Sequence, residues 1–376
     1  MKKFLCMLLA LVLVMSTAAA ALASTEINPK EKRGIKLQEA GENPVYEGVS
    51  PTTGLTLDYL YVPEGYTGLA ATGRYMPMLV QIGNDDGGIG HRAPWGMGYV
   101  DIVYEFPLHR NGNTRLTAVF SDLIPDSVGY VRSARVGNAW LWKEWMGGFL
   151  FYGQQEAEGS NVEEEFQKMG HHPINDPLLF SGMVGSGKPW KQYYTARKGL
   201  KTPYHIDANL AEMSKLIPED QVAPNHAFKF TDETPAGGDN ANEIYIKWAK
   251  NSDTYDSRVV YNADLNSYER YMGDDREPWI EKDTEEQIVF SNVIVQFTEV
   301  TYNKSPQNPV AEMVGEGNAD FFMCGKHFAG YWKRDDLTSR TVFYGPDGNE
   351  IELQRGKTLV VVFPDDDKDE REVSYQ

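Results

Sequence analysis

The sequence predicts a mixed α/β N-terminal domain with a mixed sheet, followed by a smaller, mostly antiparallel β domain. Three observations support this α+β class. In the first half, short apolar runs alternate with segments of helical periodicity. In the second half, the pattern is almost purely the alternation of polar and apolar residues that half-buried strands show. Between them, residues 231–242 are rich in Thr, Pro, Gly and Asp, which is typical of a linker.

The first residues have the pattern of a secretory signal peptide. Lys2 and Lys3 precede an apolar run over residues 4–15, and small residues lead to Ala21-Leu22-Ala23. The apolar run is too short for a membrane span, and no second candidate follows it. We therefore expect residues 1–23 to be removed and the protein to be exported, to the cell envelope or the extracellular space, with no transmembrane segment.

Cysteine content and charge limit the function classes further. Cys6 lies in the signal peptide, so Cys324 is the single thiol of the mature chain and an intramolecular disulfide is excluded. No Cys stands at the cleavage site, so a lipid anchor is not expected. The formal net charge of -18 argues against nucleic acid as a partner, because phosphate backbones are bound by basic surfaces.

Residues 24–45 are polar and lack periodicity, which predicts a flexible leader before an N-terminal domain at residues 46–230. Ser160 opens a capping-box pattern, and Asp207 is expected to cap a later helix. The predicted strands of this domain are 76–82, 101–105, 116–120 and 148–152, and the predicted helices are 133–146, 160–170 and 208–216.

The β domain is expected at residues 243–364. A tight turn at residues 345–349 predicts a hairpin between residues 341–344 and 350–353. Residues 365–376 are dense in charge without an apolar face, so we interpret them as a disordered acidic tail rather than a calcium site. Further strands are predicted at 244–248, 288–297, 328–332 and 359–363.

Several common catalytic patterns are absent from the sequence. The glycine-rich segment 182–188 resembles a phosphate-binding loop, but Pro189 stands where that motif needs Ser or Thr. The seven histidines form no His-Glu-x-x-His pair, and there is no Gly-x-Ser-x-Gly nucleophile motif. We therefore predict neither a cofactor nor a metal site.

Two arginines mark the strongest candidate site. Arg132 and Arg135 lie where the predicted helix begins near Ser133, and cations at the positively polarised end of a helix need a negative partner. One interpretation is a bound anion, such as a phosphate or carboxylate held by the guanidinium groups. The other is an internal ion-pair network. The acids near enough in sequence to form it are Asp101, Glu105 and Asp126.

Other polar residues lie near enough in sequence to join such a site, although each alone is a weak signal. They are Arg115, Glu156, Arg197, His205 and Asn209. The predicted ligand-binding set is Arg115, Arg132, Ser133, Arg135, Arg197 and Asn209. The candidate catalytic residues are Asp101, Glu105 and His205.

The order of several motifs resembles the YerB-type bacterial envelope proteins, a lipoprotein-like family whose two domains have no established activity. The N-terminal motifs are Ser50-Pro51-Thr52-Thr53-Gly54-Leu55, Pro77-Met78-Leu79-Val80, Val100-Asp101-Ile102-Val103-Tyr104-Glu105, Asn113-Thr114-Arg115-Leu116 and Val131-Arg132-Ser133-Ala134-Arg135. The C-terminal motifs are Val293-Ile294-Val295-Gln296, Gly330-Tyr331-Trp332-Lys333, Phe343-Tyr344-Gly345-Pro346-Asp347-Gly348 and Gly356-Lys357-Thr358.

The resemblance covers about residues 46 to 364 and implies a two-domain, mixed α/β exported protein. Two departures from the family are informative. Many relatives carry a lipobox Cys, which this chain lacks. Where the family has Pro-His-Asn, this chain has Pro203-Tyr204-His205, so an ungapped match places Tyr204 on the family histidine. An essential base at that position would be lost here or shifted by one residue.

Two functions remain open from the sequence. The first is a binding or assembly module of the cell envelope, whose arginines hold an anionic ligand, a peptide carboxylate, an envelope polymer or an envelope protein. The second is a hydrolase of envelope glycan or phosphodiester bonds. In the hydrolase, Asp101 or Glu105 would be the base and His205 the acid.

Overall fold

The computed structural model describes residues 24–85, 93–250, 252–273, 277–302, 309–366 and 371–376. The predicted signal peptide, residues 1–23, lies outside these ranges. No helix of the described chain is both long and apolar enough to cross a membrane. The α-helices are α1 (Leu69–Thr72), α2 (Val136–Trp145), α3 (Val162–Lys168) and α4 (Leu210–Ser214). Single 3₁₀ turns occupy Leu57–Tyr59, Met97–Tyr99 and Pro189–Tyr193.

Strands dominate the described chain. Those of the first half are β1 (Thr25–Glu26), β2 (Met78–Gly83), β3 (Ile102–Pro107), β4 (Thr114–Phe120), β5 (Val128–Gly129), β6 (Gly148–Phe151), β7 (Glu156–Ala157), β8 (Ser160–Asn161), β9 (Leu179–Ser181), β10 (Tyr194–Ala196), β11 (Ile206–Ala208) and β12 (Lys229–Thr231).

The second half adds β13 (Asp239–Asn240), β14 (Glu243–Lys247), β15 (Ser257–Asn262), β16 (Ser267–Met272), β17 (Glu277–Pro278), β18 (Val289–Phe290), β19 (Asn292–Thr298), β20 (Val300–Tyr302), β21 (Pro309–Ala311), β22 (Gly315–Met323), β23 (Lys326–Arg334), β24 (Val342–Tyr344), β25 (Glu352–Gln354), β26 (Thr358–Pro364) and β27 (Glu372–Tyr375). With 38% strand against 11% helix, the fold is richer in β structure than the α/β class predicted for the first half.

One large mixed sheet runs through both halves of the chain. Its eleven strands follow the order β13-β23-β22-β19-β26-β3-β4-β2-β6-β9, with β24 paired to β23. Strand β26 lies parallel to both β19 and β3, and all seven of its residues are buried. Its unbroken apolar run over residues 359–363 is what a strand covered on both faces requires. The two predicted domains therefore share a sheet.

A second sheet of seven strands is built largely from the C-terminal half. Its order is β1-β27-β14-β15-β16-β17, with β18 paired to β16. Strand β27 belongs to the segment predicted to be a disordered tail, and residues 371–376 are instead ordered in this sheet. The reason is that Val373 and Tyr375, two residues apart, both bury their side chains on the core face.

The predicted flexible leader also packs on the body of the protein. Arg33 forms an ion pair of 2.7 Å with the fully buried carboxylate of Asp320. Asn43 donates a hydrogen bond of 2.8 Å to the Ala227 carbonyl, and Ile27 is buried. The leader has few apolar residues, but its polar side chains meet buried partners that the sequence pattern does not reveal. Likewise, the predicted linker 231–242 contains β13, which pairs with β23.

The predicted hairpin around residues 345–349 forms its turn but not its ladder. The Gly345 N–H donates to the Asn349 carbonyl, and a single bridge joins Tyr344 to Glu350. Beyond that bridge, β25 leaves to pair in parallel with β12. The competing partner is therefore a strand more than a hundred residues earlier in the sequence.

Helix α2 begins at Val136 rather than near Ser133. The Ala134 N–H donates to the Gly153 carbonyl at 2.9 Å, which keeps the preceding residues extended. The Arg135 N–H donates to the Asn138 side chain at 2.8 Å, an interaction that closes the first turn. The segment that carries the two arginines is therefore extended up to the helix start.

Candidate functional site

Three arginines converge beside the end of strand β2. Within the large sheet, Arg115 of β4 pairs with Gly83 of β2. On the other side of β2, Val131 bridges Ile82 and the Arg132 N–H donates to the Gln81 carbonyl. Strand β2 thus holds the β4 arginine and the extended segment together.

Two of the three guanidinium groups meet at one backbone carbonyl. Arg115 Nη1 and Arg135 Nη1 both donate to the Ser133 oxygen, at 3.1 and 3.5 Å, and Arg135 Nη1 also reaches the Ala134 oxygen at 3.1 Å. Arg115 is 3% exposed and forms the floor, whereas Arg132 and Arg135 are half-buried. We call Arg115, Arg132 and Arg135 the arginine cluster.

The arginine cluster carries more positive than negative charge. Arg132 Nη2 lies 3.8 Å from Asp85 Oδ2, which is the one ion pair of the cluster among the described residues. Asp85 Oδ1 also accepts a hydrogen bond of 3.1 Å from the Tyr255 hydroxyl. Within the described ranges, the cluster of three guanidinium groups therefore has one paired carboxylate.

This imbalance affects the pKa values of the cluster. Burial lowers the pKa of Arg115 well below its usual value, and the charges of Arg135 and Arg132 lower it further. Burial, followed by the charge of Arg132, lowers the pKa of Arg135 to about 10. The Nε atoms of all three arginines are buried without a hydrogen-bond partner. The three Nε donors are therefore unsatisfied, and so is the nearby acceptor Asp85 Oδ2, which lies too far from Arg132 for a hydrogen bond.

An aromatic side chain lies at the rim. The Tyr204 ring centroid is 5.8 Å from Cζ of Arg132, and the Pro203 carbonyl accepts a bond of 3.5 Å from Arg132 Nη1. Tyr130 packs edge-on against Tyr204 with ring centroids 5.6 Å apart. Tyr204 therefore borders the arginine cluster.

The acids predicted to pair with Arg132 and Arg135 do not do so. Asp126 is exposed, and Glu105 pairs with Arg270 at 2.6 Å. Strand pairing explains the separation, because Arg115 lies opposite Phe106, so the neighbouring Glu105 points to the other face of the sheet.

Asp101 belongs to a separate buried network. Its Oδ2 accepts bonds from the Thr52 hydroxyl at 2.9 Å and from the Ser121 N–H at 2.7 Å. Sequence reasoning missed Asp85, the acid that does contact the cluster. Its position two residues after the end of strand β2 was the available signal, because side chains at strand ends are placed by the sheet.

The remaining predicted residues have other partners. Arg197 forms an ion pair with Asp283 and lies 4.4 Å from the ring centroid of Trp95. Asn209 is the N-cap of α4 and accepts the Glu212 N–H at 2.9 Å, so its amide is used structurally. His205 accepts the Arg197 N–H through its carbonyl, and its Nδ1 is buried without a partner.

Ser133 and Glu156 are the last of the predicted residues, and Gln154 lies between them. Ser133 contributes its carbonyl to Arg115 and Arg135. Gln154 bridges Ala134 through the backbone, and its Oε1 is buried without a partner. Glu156 is exposed and is contacted by the Gln154 amide at 3.4 Å. In the ranges that the structure describes, no group of three His, Cys, Asp or Glu side chains is arranged to hold a metal ion.

Comparison with protein-family models gives two matches. Residues 66–215 match the N-terminal domain of the DUF3048 proteins of unknown function, and residues 244–360 match the C-terminal domain. The chain belongs to the DUF3048 family. The resemblance to YerB-type proteins is thereby confirmed, and all three members of the arginine cluster lie in the N-terminal DUF3048 segment.

The fold of this DUF3048 protein is similar to a solved structure. The crystal structure of the YerB protein from Bacillus subtilis superposes with a TM-score of 0.66 at 18% sequence identity, covering 86% of this chain and 99% of YerB. At that identity, the similarity shows a shared fold. No curated protein matched the chain.

Proposed function

We propose that this DUF3048 protein is an exported binding module that holds an anionic ligand in the arginine cluster. The observation that supports the proposal is the excess, in the part of the chain that the structure describes, of three guanidinium groups over one carboxylate, together with three buried Nε atoms that have no acceptor. Hydrogen bonds between guanidinium groups and carboxylate or phosphate oxygens are among the stronger polar contacts in proteins. A bound anion would provide both the charge and the acceptors.

The proposed location rests on the signal-peptide pattern of residues 1–23. Export can be tested directly. Expression of the full chain in a bacterial host should yield a secreted or envelope protein whose N-terminal residue, determined by mass spectrometry, is Ser24. Retention of the complete N-terminus in the cytoplasm would contradict it.

A hydrolase is less well supported by the geometry. Its proposed base would be Asp101 or Glu105, which are 3% and 0% exposed, and Glu105 already pairs with Arg270. A general base must come within hydrogen-bond reach of the proton that it removes. Neither carboxylate is accessible from the arginine cluster, so no observation favours hydrolysis over binding.

The binding proposal is tested with the mature protein and simple anions. Thermal unfolding is measured with inorganic phosphate, sulfate and acetate, since a ligand at a hundred times its dissociation constant stabilises the folded state by about 2.7 kcal/mol. We expect a shift in the wild type that is lost in Arg132→Gln and Arg135→Gln. Arg197→Gln is the matched control, because Arg197 contacts Trp95 and Asp283 instead. An absence of any shift, or an equal loss in the control, would refute the proposal.

A further inference from the structure

The charge of the arginine cluster indicates which kind of anion it fits. Among the residues that the structure describes, three guanidinium groups and the Asp85 carboxylate leave a formal excess of two positive charges. A single carboxylate or a phosphodiester carries one negative charge and would leave half of this excess. A doubly charged anion would balance it completely.

The unused hydrogen-bond donors lead to the same class of ligand. Each guanidinium has five N–H donors, and the three Nε atoms in the cluster have no partner although all are buried. A carboxylate has two oxygens, whereas a terminal phosphate has three strong acceptor oxygens. A phosphodiester has two free oxygens and lacks the third.

The depth of the site favours a terminal group over a point along a polymer. Arg115, at the floor, is 3% exposed, whereas Arg132 and Arg135 above it are half-buried. Arg132 and Arg135 are the partly accessible members, so an end group would meet them first, with its substituent directed past Tyr204. The formal net charge of -18 also repels long polyanions at distances beyond the local site.

We propose that the arginine cluster binds the dianionic phosphate of a phosphomonoester, with Arg115 at the floor and Arg132 and Arg135 at the sides. The inference rests on the proposed anion-binding function and specifies its ligand class. The alkyl, sugar or lipid group of the ester lies at the Tyr204 rim. No bond is made or broken, because the proposal concerns binding alone.

The test compares small anions by isothermal titration calorimetry on the mature protein at pH 7.5. The probes are methyl phosphate, dimethyl phosphate and acetate. We expect methyl phosphate to bind at least about tenfold more tightly than either monoanion. If dimethyl phosphate or acetate binds as tightly, and Arg132→Gln abolishes that binding, the phosphomonoester inference fails while the anion site stands. If none of the probes binds, both proposals fail.

The pH dependence provides a second measurement. The second ionisation of a phosphate ester lies near pH 6, so the dianion fraction falls about fourfold between pH 7.5 and pH 5.5. We expect methyl phosphate affinity to fall by a similar factor. Sulfate remains a dianion throughout this range, so it controls for any pH-dependent change in the protein itself, including the charge of Asp85 beside Arg132. Equal pH profiles for sulfate and methyl phosphate would contradict the inference.

Charge variants complete the test. Asp85→Asn raises the formal excess from two to three, so we expect several-fold tighter binding of methyl phosphate. Arg132→Gln lowers the excess to one, so the preference for methyl phosphate over acetate should shrink. An unchanged preference in both variants would overturn the inference.

Glycerol 3-phosphate and vesicles containing phosphatidic acid distinguish a soluble ester from a lipid headgroup. Binding to either one supports the phosphomonoester, and binding to neither refutes it.

Discussion

Glu105 and Arg270 form an ion pair in which neither side chain is exposed, and the two residues come from different halves of the chain. Glu105 also accepts hydrogen bonds from Asn84 at 3.1 Å and Thr114 at 2.8 Å. The Arg270 guanidinium lies 5.0 Å from the Trp279 ring centroid. A buried charge is tolerated when its partner is present, so each member depends on the other.

We predict that Glu105→Gln and Arg270→Met each lower the free energy of unfolding by about 3–5 kcal/mol, because each leaves one uncompensated buried charge. The double variant should lose less than the sum of the two. Urea denaturation followed by tryptophan fluorescence measures all three values. Single-variant losses below about 1 kcal/mol would mean that water or another group compensates the remaining charge.

Asp101 provides a prediction for pH. Burial, reinforced by the Asp122 carboxylate, raises the pKa of Asp101 to about 8, while hydrogen bonds from Ser121 and Asp122 oppose the shift. Burial also lowers the pKa of Lys357, the cation that acts on both acids. A carboxyl whose pKa is higher in the folded state holds its proton more tightly there. Its contribution to stability is therefore complete below its ordinary pKa and falls as the pH rises through about 8.

We expect Asp101→Asn, which is neutral at every pH, to flatten this fall. The measurement is the thermal midpoint of wild type and variant between pH 4 and pH 9. The amide oxygen of Asn can still accept the bonds from Thr52 and the Ser121 N–H, so the network is preserved. Parallel pH profiles for the two proteins would show that Asp101 does not titrate in this range.

At the scale of elements, two short helices begin at asparagines. Asn161 accepts the Glu163 N–H at 3.0 Å at the start of α3, and Asn209 caps α4 in the same way. The sequence patterns instead predicted the nearby Ser160 and Asp207 as the residues that cap these helices. Both have tertiary partners, since Ser160 accepts a bond from Gln155 and Asp207 accepts bonds from Trp95 and Ser127.

We predict that Asn209→Ala destabilises the protein by about 1 kcal/mol and leaves anion affinity unchanged, because its amide caps a helix. Asn161→Ala is the matched control and should cost about the same on a different helix. Chemical denaturation measures stability and calorimetry measures affinity. A strong loss of phosphate or sulfate binding in Asn209→Ala alone would show that Asn209 takes part in anion binding.

Local patterns predicted elements better than they predicted neighbours. The runs that indicated β2, β3, β4 and β6 form those strands within a few residues, because apolar runs bounded by turns are local signals. The arginine motif was found from its sequence. The acid that pairs with this motif was not predicted correctly. The face of the sheet on which Glu105 lies depends on which residue of β4 pairs with it, and the sequence does not show that pairing.

At the scale of the whole molecule, the shared sheet makes the halves interdependent. Strand β3 has β4 on one side and β26 on the other, and all six of its residues are buried. Without the C-terminal half, β3 would be an exposed apolar edge. The composition of residues 231–242 therefore wrongly suggested a linker between independent compact units, because the large sheet crosses between the two halves.

We predict that residues 46–230, expressed alone, aggregate or remain unfolded, because removal of β26 exposes the edge of β3. Coexpression with residues 231–376 should restore a folded complex. Size-exclusion chromatography with circular dichroism measures both outcomes. A monomeric, cooperatively unfolding fragment 46–230 would show that the N-terminal half closes its own sheet.

The position of β26 in the chain also affects how fast the protein folds. Ile102 of β3 and Thr358 of β26 are paired but are about 250 residues apart, and contacts of such separation slow folding. At ordinary rates of synthesis, β3 waits roughly 13 to 50 seconds for its neighbour to be made. During that interval the centre of the large sheet stays open. A nascent chain that cannot close its core stays unfolded and can still pass through an export channel. This slow closure suits the export proposed for the protein.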